Sequence, residues 1–192
     1  MPRITRIPFC LVLLLATSLM CAQNVQTAQS PKLDVAGTFT TVRSLRSGTP
    51  DSFWMQGGSI ELGTNSWHGL GVAANVSGFH TGSVNGTGIP LSIVTATFGP
   101  RYRWHADRRL SIYVEGLVGE ANGFKSLFPS ATGSQTSSGS FAAVVGGGLD
   151  YKLSQHIAIR LAETDWQHTQ LPNGTNNIQN GARLGTGILL RF

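Results

Sequence analysis

The chain has 192 residues, of which 12% are charged and 24 are Gly, and its formal net charge is +5. That length suits one domain, and the low charge excludes a long charged helix or an acidic or basic tail. A mean hydropathy near zero excludes a bundle of apolar helices, each of which needs about 20 consecutive apolar residues.

Residues 1–22 read as a cleavable secretion signal. Arg3 and Arg6 form a positive start, and a short apolar run with Leu11, Val12, Leu13, Leu14 and Leu15 at its centre follows. Cleavage is expected after Ala22. Cys21 reads as a signal residue rather than a lipid anchor, because Met20 stands where lipoprotein signals carry a small residue. Both cysteines, Cys10 and Cys21, leave with the signal. The mature chain then offers no disulfide, thiolate metal site or cysteine nucleophile. It keeps 12 basic residues against 9 acidic ones. No basic patch with interleaved aromatics is found, so nucleic acid is not an expected partner. Residues 23–31 read as a short N-terminal segment ahead of the folded region, 32–192.

From there the dominant signal is alternation with a period of two, the mark of strands with unlike faces. Leu33, Val35, Gly37 and Phe39 oppose Asp34, Ala36 and Thr38. Trp54, Gly58, Ile60 and Leu62 oppose Gly57, Ser59 and Glu61. Leu70, Val72, Ala74 and Val76 oppose Gly71, Ala73, Asn75 and Ser77. Val94, Ala96, Phe98, Pro100 and Tyr102 oppose Thr95, Thr97, Gly99, Arg101 and Arg103. Leu110, Ile112, Val114, Gly116 and Val118 oppose Ser111, Tyr113, Glu115, Leu117 and Gly119. Phe141, Ala143, Val145, Gly147, Leu149, Tyr151 and Leu153 oppose Ala142, Val144, Gly146, Gly148, Asp150 and Lys152. Ile157, Ile159 and Leu161 oppose Ala158, Arg160 and Ala162. Leu184, Thr186, Ile188, Leu190 and Phe192 oppose Arg183, Gly185, Gly187, Leu189 and Arg191.

These segments exceed the roughly 5 or 6 residues of ordinary strands and match the roughly 9 to 11 that a tilted strand needs to cross a bilayer. The connections alternate in length. Residues 43–52, 79–89, 123–140 and 168–180 are long and rich in Ser, Gly, Asn and Thr, while 63–66, 104–109 and 153–156 are short. Tight periplasmic turns and long outer loops are the habit of outer-membrane barrels. The spacing therefore predicts an all-β fold, an eight-stranded antiparallel up-and-down transmembrane β-barrel. Aromatic girdles are expected at both interfaces. Trp67, Tyr102, Trp104, Tyr151 and Phe192 supply the periplasmic one, and Phe53, Trp54, Phe79, Phe124, Phe141 and Trp166 the outer one.

The terminal strand 184–192, the run Gly99-Pro100-Arg101-Tyr102-Arg103 and the run Gly146-Gly147-Gly148-Leu149-Asp150-Tyr151 together resemble the transmembrane domain of outer-membrane protein A and its small eight-stranded relatives. The likeness covers about residues 31–192. It implies insertion in the bacterial outer membrane. It also implies that Leu184, Ile188, Leu190 and Phe192 form the signal read by the barrel-assembly machinery. Many relatives carry a second, peptidoglycan-binding domain. This sequence stops at Phe192, so no cell-wall anchoring is expected.

An eight-stranded barrel is just wide enough to be filled by side chains. Glu61, Arg101, Arg103, Glu115, Asp150, Lys152 and Arg160 are therefore expected to form an interior ionic plug, with Asp34 and Arg191 on the same face. Strict alternation from Ile157 places Glu163 and Asp165 on the lipid face near the outer rim. A bulge after Leu161 or an early exit of the strand from the membrane would relieve that cost, and the early exit, with Trp166 as the rim aromatic, is the expectation. His68, His80, His105, His156 and His168 show no motif-grade spacing with a nucleophile or a carboxylate. No catalytic site, cofactor or metal is expected. The expected role is structural or surface-interacting, adhesin-like, through the four outer loops. The expected partners are outer-membrane lipid and lipopolysaccharide, the assembly machinery and an extracellular surface ligand. A narrow channel is the alternative. A lipid-modifying enzyme and a soluble lipocalin-like carrier are the remaining ones, and the carrier would need its apolar face inside.

Overall fold

The computed structural model describes residues 32–45, 52–65, 68–106, 108–174 and 176–192. The signal segment 1–22, the stretch 23–31 and Trp67 lie outside the described residues. The alternating segments become strands β1 (Lys32–Leu45), β2 (Trp54–Asn65), β3 (Leu70–Thr81), β4 (Leu91–Trp104), β5 (Leu110–Ser130), β6 (Gly133–Lys152), β7 (Ile157–Thr169) and β8 (Gln179–Arg191). Each pairs antiparallel with its neighbours in sequence, and β1 pairs with β8 to close the barrel. Closure leaves the wall without an edge, the condition for a β-structure to cross lipid.

The alternation faces as the composition requires. Ile60 is 63% and Phe98 67% exposed on the outside, while Arg160 is 0% exposed inside. This is the reverse of a soluble carrier, whose apolar face lines its lumen. Hydroxyls join strands on the inner wall, with Thr38 Oγ1 2.6 Å from Ser59 Oγ and Ser77 Oγ 2.5 Å from Thr95 Oγ1.

The short connections are set by turn chemistry. His68 and Gly69 carry positive φ between β2 and β3, and the Ser154 hydroxyl accepts from His156 N and Ile157 N between β6 and β7. The opposite end carries the long connections and is the outer end by the rule that periplasmic turns are tight.

The structure corrects the sequence reading in three places. First, the stretch 123–140 is mostly strand. Beyond the pairs Ser92↔Phe124 and Ala142↔Thr169, β5 and β6 pair only with each other and turn at Ala131 and Thr132. They form a two-stranded ribbon that rises past the rim by about 20 Å, at roughly 3.3 Å per residue. Its Ser, Thr and Gln residues suit a solvated strand as well as a loop, so composition alone could not separate the two.

Second, β7 does not leave the membrane early. Leu161 and Ala162 both face outward, and the β7–β8 register shifts between Arg160 and Glu163. This is a β-bulge, and the Thr186 hydroxyl braces it by donating to Arg160 O at 2.8 Å. One extra residue moves every later side chain to the other face. Glu163 and Asp165 therefore point into the lumen and are buried. Third, Phe79 is buried inside and Phe53 packs against the same interior cluster, so neither joins the outer girdle. Trp54, Phe141 and Trp166 remain outside at that end, and Trp104, Tyr151 and Phe192 at the other.

Glycines on the wall make room for lumen side chains, and Gly148 does so for Tyr113. A Cβ on Gly148 would lie 2.7 Å from Tyr113 Cε1 and 2.6 Å from Ala162 O. The Tyr113 ring therefore rests where that side chain would be. Gly148→Val is expected to destabilise the barrel by about 1–3 kcal/mol through overpacking, read as a lower urea midpoint in lipid vesicles. An unchanged midpoint would mean that Tyr113 is loosely held.

Candidate functional site

The lumen is built in two tiers. The lower and middle tier is ionic. Asp34 pairs with Arg191 at 3.8 Å and with Arg103 at 3.3 Å. Arg103 reaches Asp150 at 2.5 Å, and Asp150 reaches Arg160 at 3.1 Å. Arg160 also holds Glu61 at 2.9 Å and Glu163 at 2.7 Å. Glu61 continues to Arg101, and Arg101 to Glu115. Glu163 continues to Arg183 at 2.8 Å, and Arg183 to Asp165 at 2.6 Å. Among the described residues, six carboxylates and five guanidiniums thus form one connected network with a formal charge of −1.

Seven strands supply these charges, and β3 joins through Asn75, whose Nδ2 donates to Glu61 at 3.3 Å. Every cation in it is Arg, whose planar fork with five donors is well suited to serving two or three carboxylates at once. Tyr113 stands at the centre. The guanidiniums of Arg160, Arg101 and Arg103 lie 4.4, 4.7 and 5.3 Å from its ring centroid. Its hydroxyl donates to Glu163 at 3.2 Å.

The outer tier is apolar. Val42, Met55, Phe79, Ile93, Ala121, Phe128, Ala142 and Leu171 form a buried cluster across the outer end of the lumen. Phe128 comes from the β5–β6 ribbon and Leu171 from the β7–β8 connection. A cavity of about 250 Å³ opens among these residues.

The chain matches the family described as the outer membrane protein beta-barrel domain over residues 12–192. It belongs to that family. This barrel is accordingly a protein of the bacterial outer membrane. Among solved structures it is similar to Ail, the attachment invasion locus protein of Yersinia pestis, with 17% identity and a TM-score of 0.59, covering 85% of this chain and 100% of that one. It is similar to Neisserial surface protein A, with 12% identity and a TM-score of 0.60, covering 87% and 100%. It is also similar to the outer-membrane protein OprG of Pseudomonas aeruginosa, with 14% identity and a TM-score of 0.50, covering 88% and 99%. No curated protein matches the chain.

Within this outer-membrane barrel, six of the seven residues expected in the plug meet in one network: Glu61, Arg101, Arg103, Glu115, Asp150 and Arg160. Lys152 does not join it. It is half-buried and lines the periplasmic mouth beside Asp34, His156 and Arg191. Sequence reasoning left Arg183, Glu163, Asp165 and Tyr113 out of the plug. Arg183 and Tyr113 already stood on the inward side of their alternations, so that signal was available. Leu184, Ile188 and Leu190 face outward along β8, and Phe192 faces outward beyond it.

Proposed function

We propose that this outer-membrane barrel is a closed structural and surface-interaction protein. It is held shut by its ionic network and acts through its outer connections. The observation that carries the surface role is the β5–β6 ribbon, which extends past every other strand. A long, regular, two-stranded element is a better contact surface than a floppy loop, because its backbone is ordered before binding. Beyond Phe124 and Ser140 neither edge pairs with another strand among the described residues, and an open edge can take up an extended segment of a partner. On the β5 side, Lys125 and Pro129 guard the edge, as gatekeepers do. The β6 side, residues 133–140, is uncharged and rich in Ser. The likeness to Ail, named for attachment, points the same way but rests on fold alone.

On this reading the apolar belt meets outer-membrane lipid and lipopolysaccharide. The outward stripe Leu184, Ile188, Leu190 and Phe192 meets the barrel-assembly machinery. The ribbon meets an extracellular surface ligand. The test replaces residues 126–138 with a two-residue turn. Cells displaying each form are compared for binding to immobilised extracellular-matrix protein and to glycan arrays. A several-fold loss at equal surface amount, with the heat-dependent gel shift of the barrel retained, is expected. Equal binding by both forms removes the ribbon from the function. The alternative, a narrow channel, is favoured if the intact protein gives stepwise conductance in planar bilayers.

A further inference from the structure

The outer cavity is distinct from the ionic network, and the base of the ribbon, Ser126, Leu127 and Phe128, forms part of its wall. Its apolar wall includes Val42, Met55, Ile93, Phe128 and Leu171. No charged side chain lines it among the described residues. One polar group stands out on its wall. Gln167 is 5% exposed, and its Oε1 is buried without a hydrogen-bond partner. Two polar neighbours bond each other or the backbone: Thr169 Oγ1 donates to Gln179 Oε1 at 3.1 Å, and Gln179 Nε2 donates to Leu171 O at 2.7 Å. A buried amide left unpaired is unfavourable, so its retention calls for a partner.

The cavity is also shaped by a local irregularity. The β5–β6 register shifts between Phe124 and Phe128, and Lys125 takes a φ of 59°. The shift turns Phe128 inward over the cavity. Bulges of this kind re-aim side chains beside functional sites.

We propose that this vestibule binds a small uncharged amphiphile. The apolar body lies among Met55, Ile93, Phe128 and Leu171, and one hydroxyl or amide bonds the Gln167 side chain. The volume of about 250 Å³ holds about eight non-hydrogen atoms at roughly 30 Å³ each. An anion or cation is excluded because no counter-charge lines the wall and an unpaired buried charge is strongly unfavourable. The wall residues face the lumen, so the barrel separates the site from bilayer acyl chains. The source is a free solute entering between the outer connections. This inference does not depend on the ribbon's role in surface binding.

The test uses the full chain in lipid nanodiscs with ¹³C-methyl methionine. Met55 is the sole methionine among the described residues, and its resonance is assigned with Met55→Leu. Titration with 1-octanol is expected to shift the Met55 methyl saturably. Octanoate should bind at least about tenfold more weakly, since its charge must be buried. Gln167→Leu should weaken 1-octanol about tenfold but leave octane unchanged, because only the alcohol loses a partner. Ile93→Trp should fill the cavity and abolish the shift. The heat-dependent gel shift certifies that each variant is folded. A linear, unsaturable response, equal binding of octanoate, or no effect of Gln167→Leu on octanol would each overturn the proposal. So would broadening of the Met55 methyl, without octanol, by lipids carrying a nitroxide on the acyl chain.

Discussion

Replacing Arg160 with methionine is expected to lower the stability of the folded barrel by about 3 kcal/mol, the lower end for breaking a buried ion pair from one side. Arg160 holds three carboxylates at once, Glu61, Asp150 and Glu163, and lies over the Tyr113 ring. Methionine retains much of the side-chain volume, so the loss is electrostatic rather than a cavity. The lower end is chosen because each carboxylate keeps one arginine: Glu61 keeps Arg101, Asp150 keeps Arg103 and Glu163 keeps Arg183. The formal charge of the network falls from −1 to −2, and the tier loses its junction. Urea unfolding in lipid vesicles, followed by tryptophan fluorescence, measures the change. A loss under about 0.5 kcal/mol, the size of an exposed pair, would mean that water already screens these charges. The lumen would then be a wet pore, and the channel reading would replace the closed one.

Deleting Leu161 and Ala162 together is expected to abolish folding altogether. The bulge at Leu161 and Ala162 is the device that turns Glu163, Asp165, Gln167 and Thr169 inward. With Glu163 following Arg160 directly, strict alternation sends both carboxylates into lipid and draws Trp166 and His168 into the lumen. Arg183 would lose Glu163 and Asp165, its two partners in the network. A buried arginine without a carboxylate is alone destabilising by about 3–5 kcal/mol, a large share of the roughly 5–15 kcal/mol that holds a typical protein together. The variant should show no heat-dependent shift in gel mobility after refolding into micelles. A normal shift would show that β7 can slip its register and that the bulge is dispensable.

The same bulge marks where the sequence stopped being legible. Period-two alternation revealed all eight strands and the inward set up to Arg160, because one face had to meet lipid and the other a packed lumen. A bulge breaks that arithmetic with a single residue, and no local composition announces it. Leu161 and Ala162 are ordinary strand residues. The signal was the conflict itself, two carboxylates assigned to lipid. It admitted two solutions, and only the β7–β8 register distinguishes them. Arg183 and Tyr113 were legible as inward residues, but strand stagger decides which inward residues meet, and stagger is a property of the closed barrel. The ribbon stayed hidden for a different reason. A strand that meets water along most of its length has little need to alternate, even though Phe128 turns inward onto the lumen.

The shape of the ionic network also constrains how such a chain can change over generations. Glu115 and Asp165 each pair with a single arginine among the described residues, so each can be exchanged together with one other residue. Arg160 cannot, because its replacement must suit three carboxylates at once, on β2, on β6 and on its own strand β7. Outward positions carry no such dependence, since one lipid-facing Val, Ile or Leu serves as well as another. Descendants of this sequence should therefore drift quickly on the outside, alter the ends of the network in matched pairs, and hold its centre fixed.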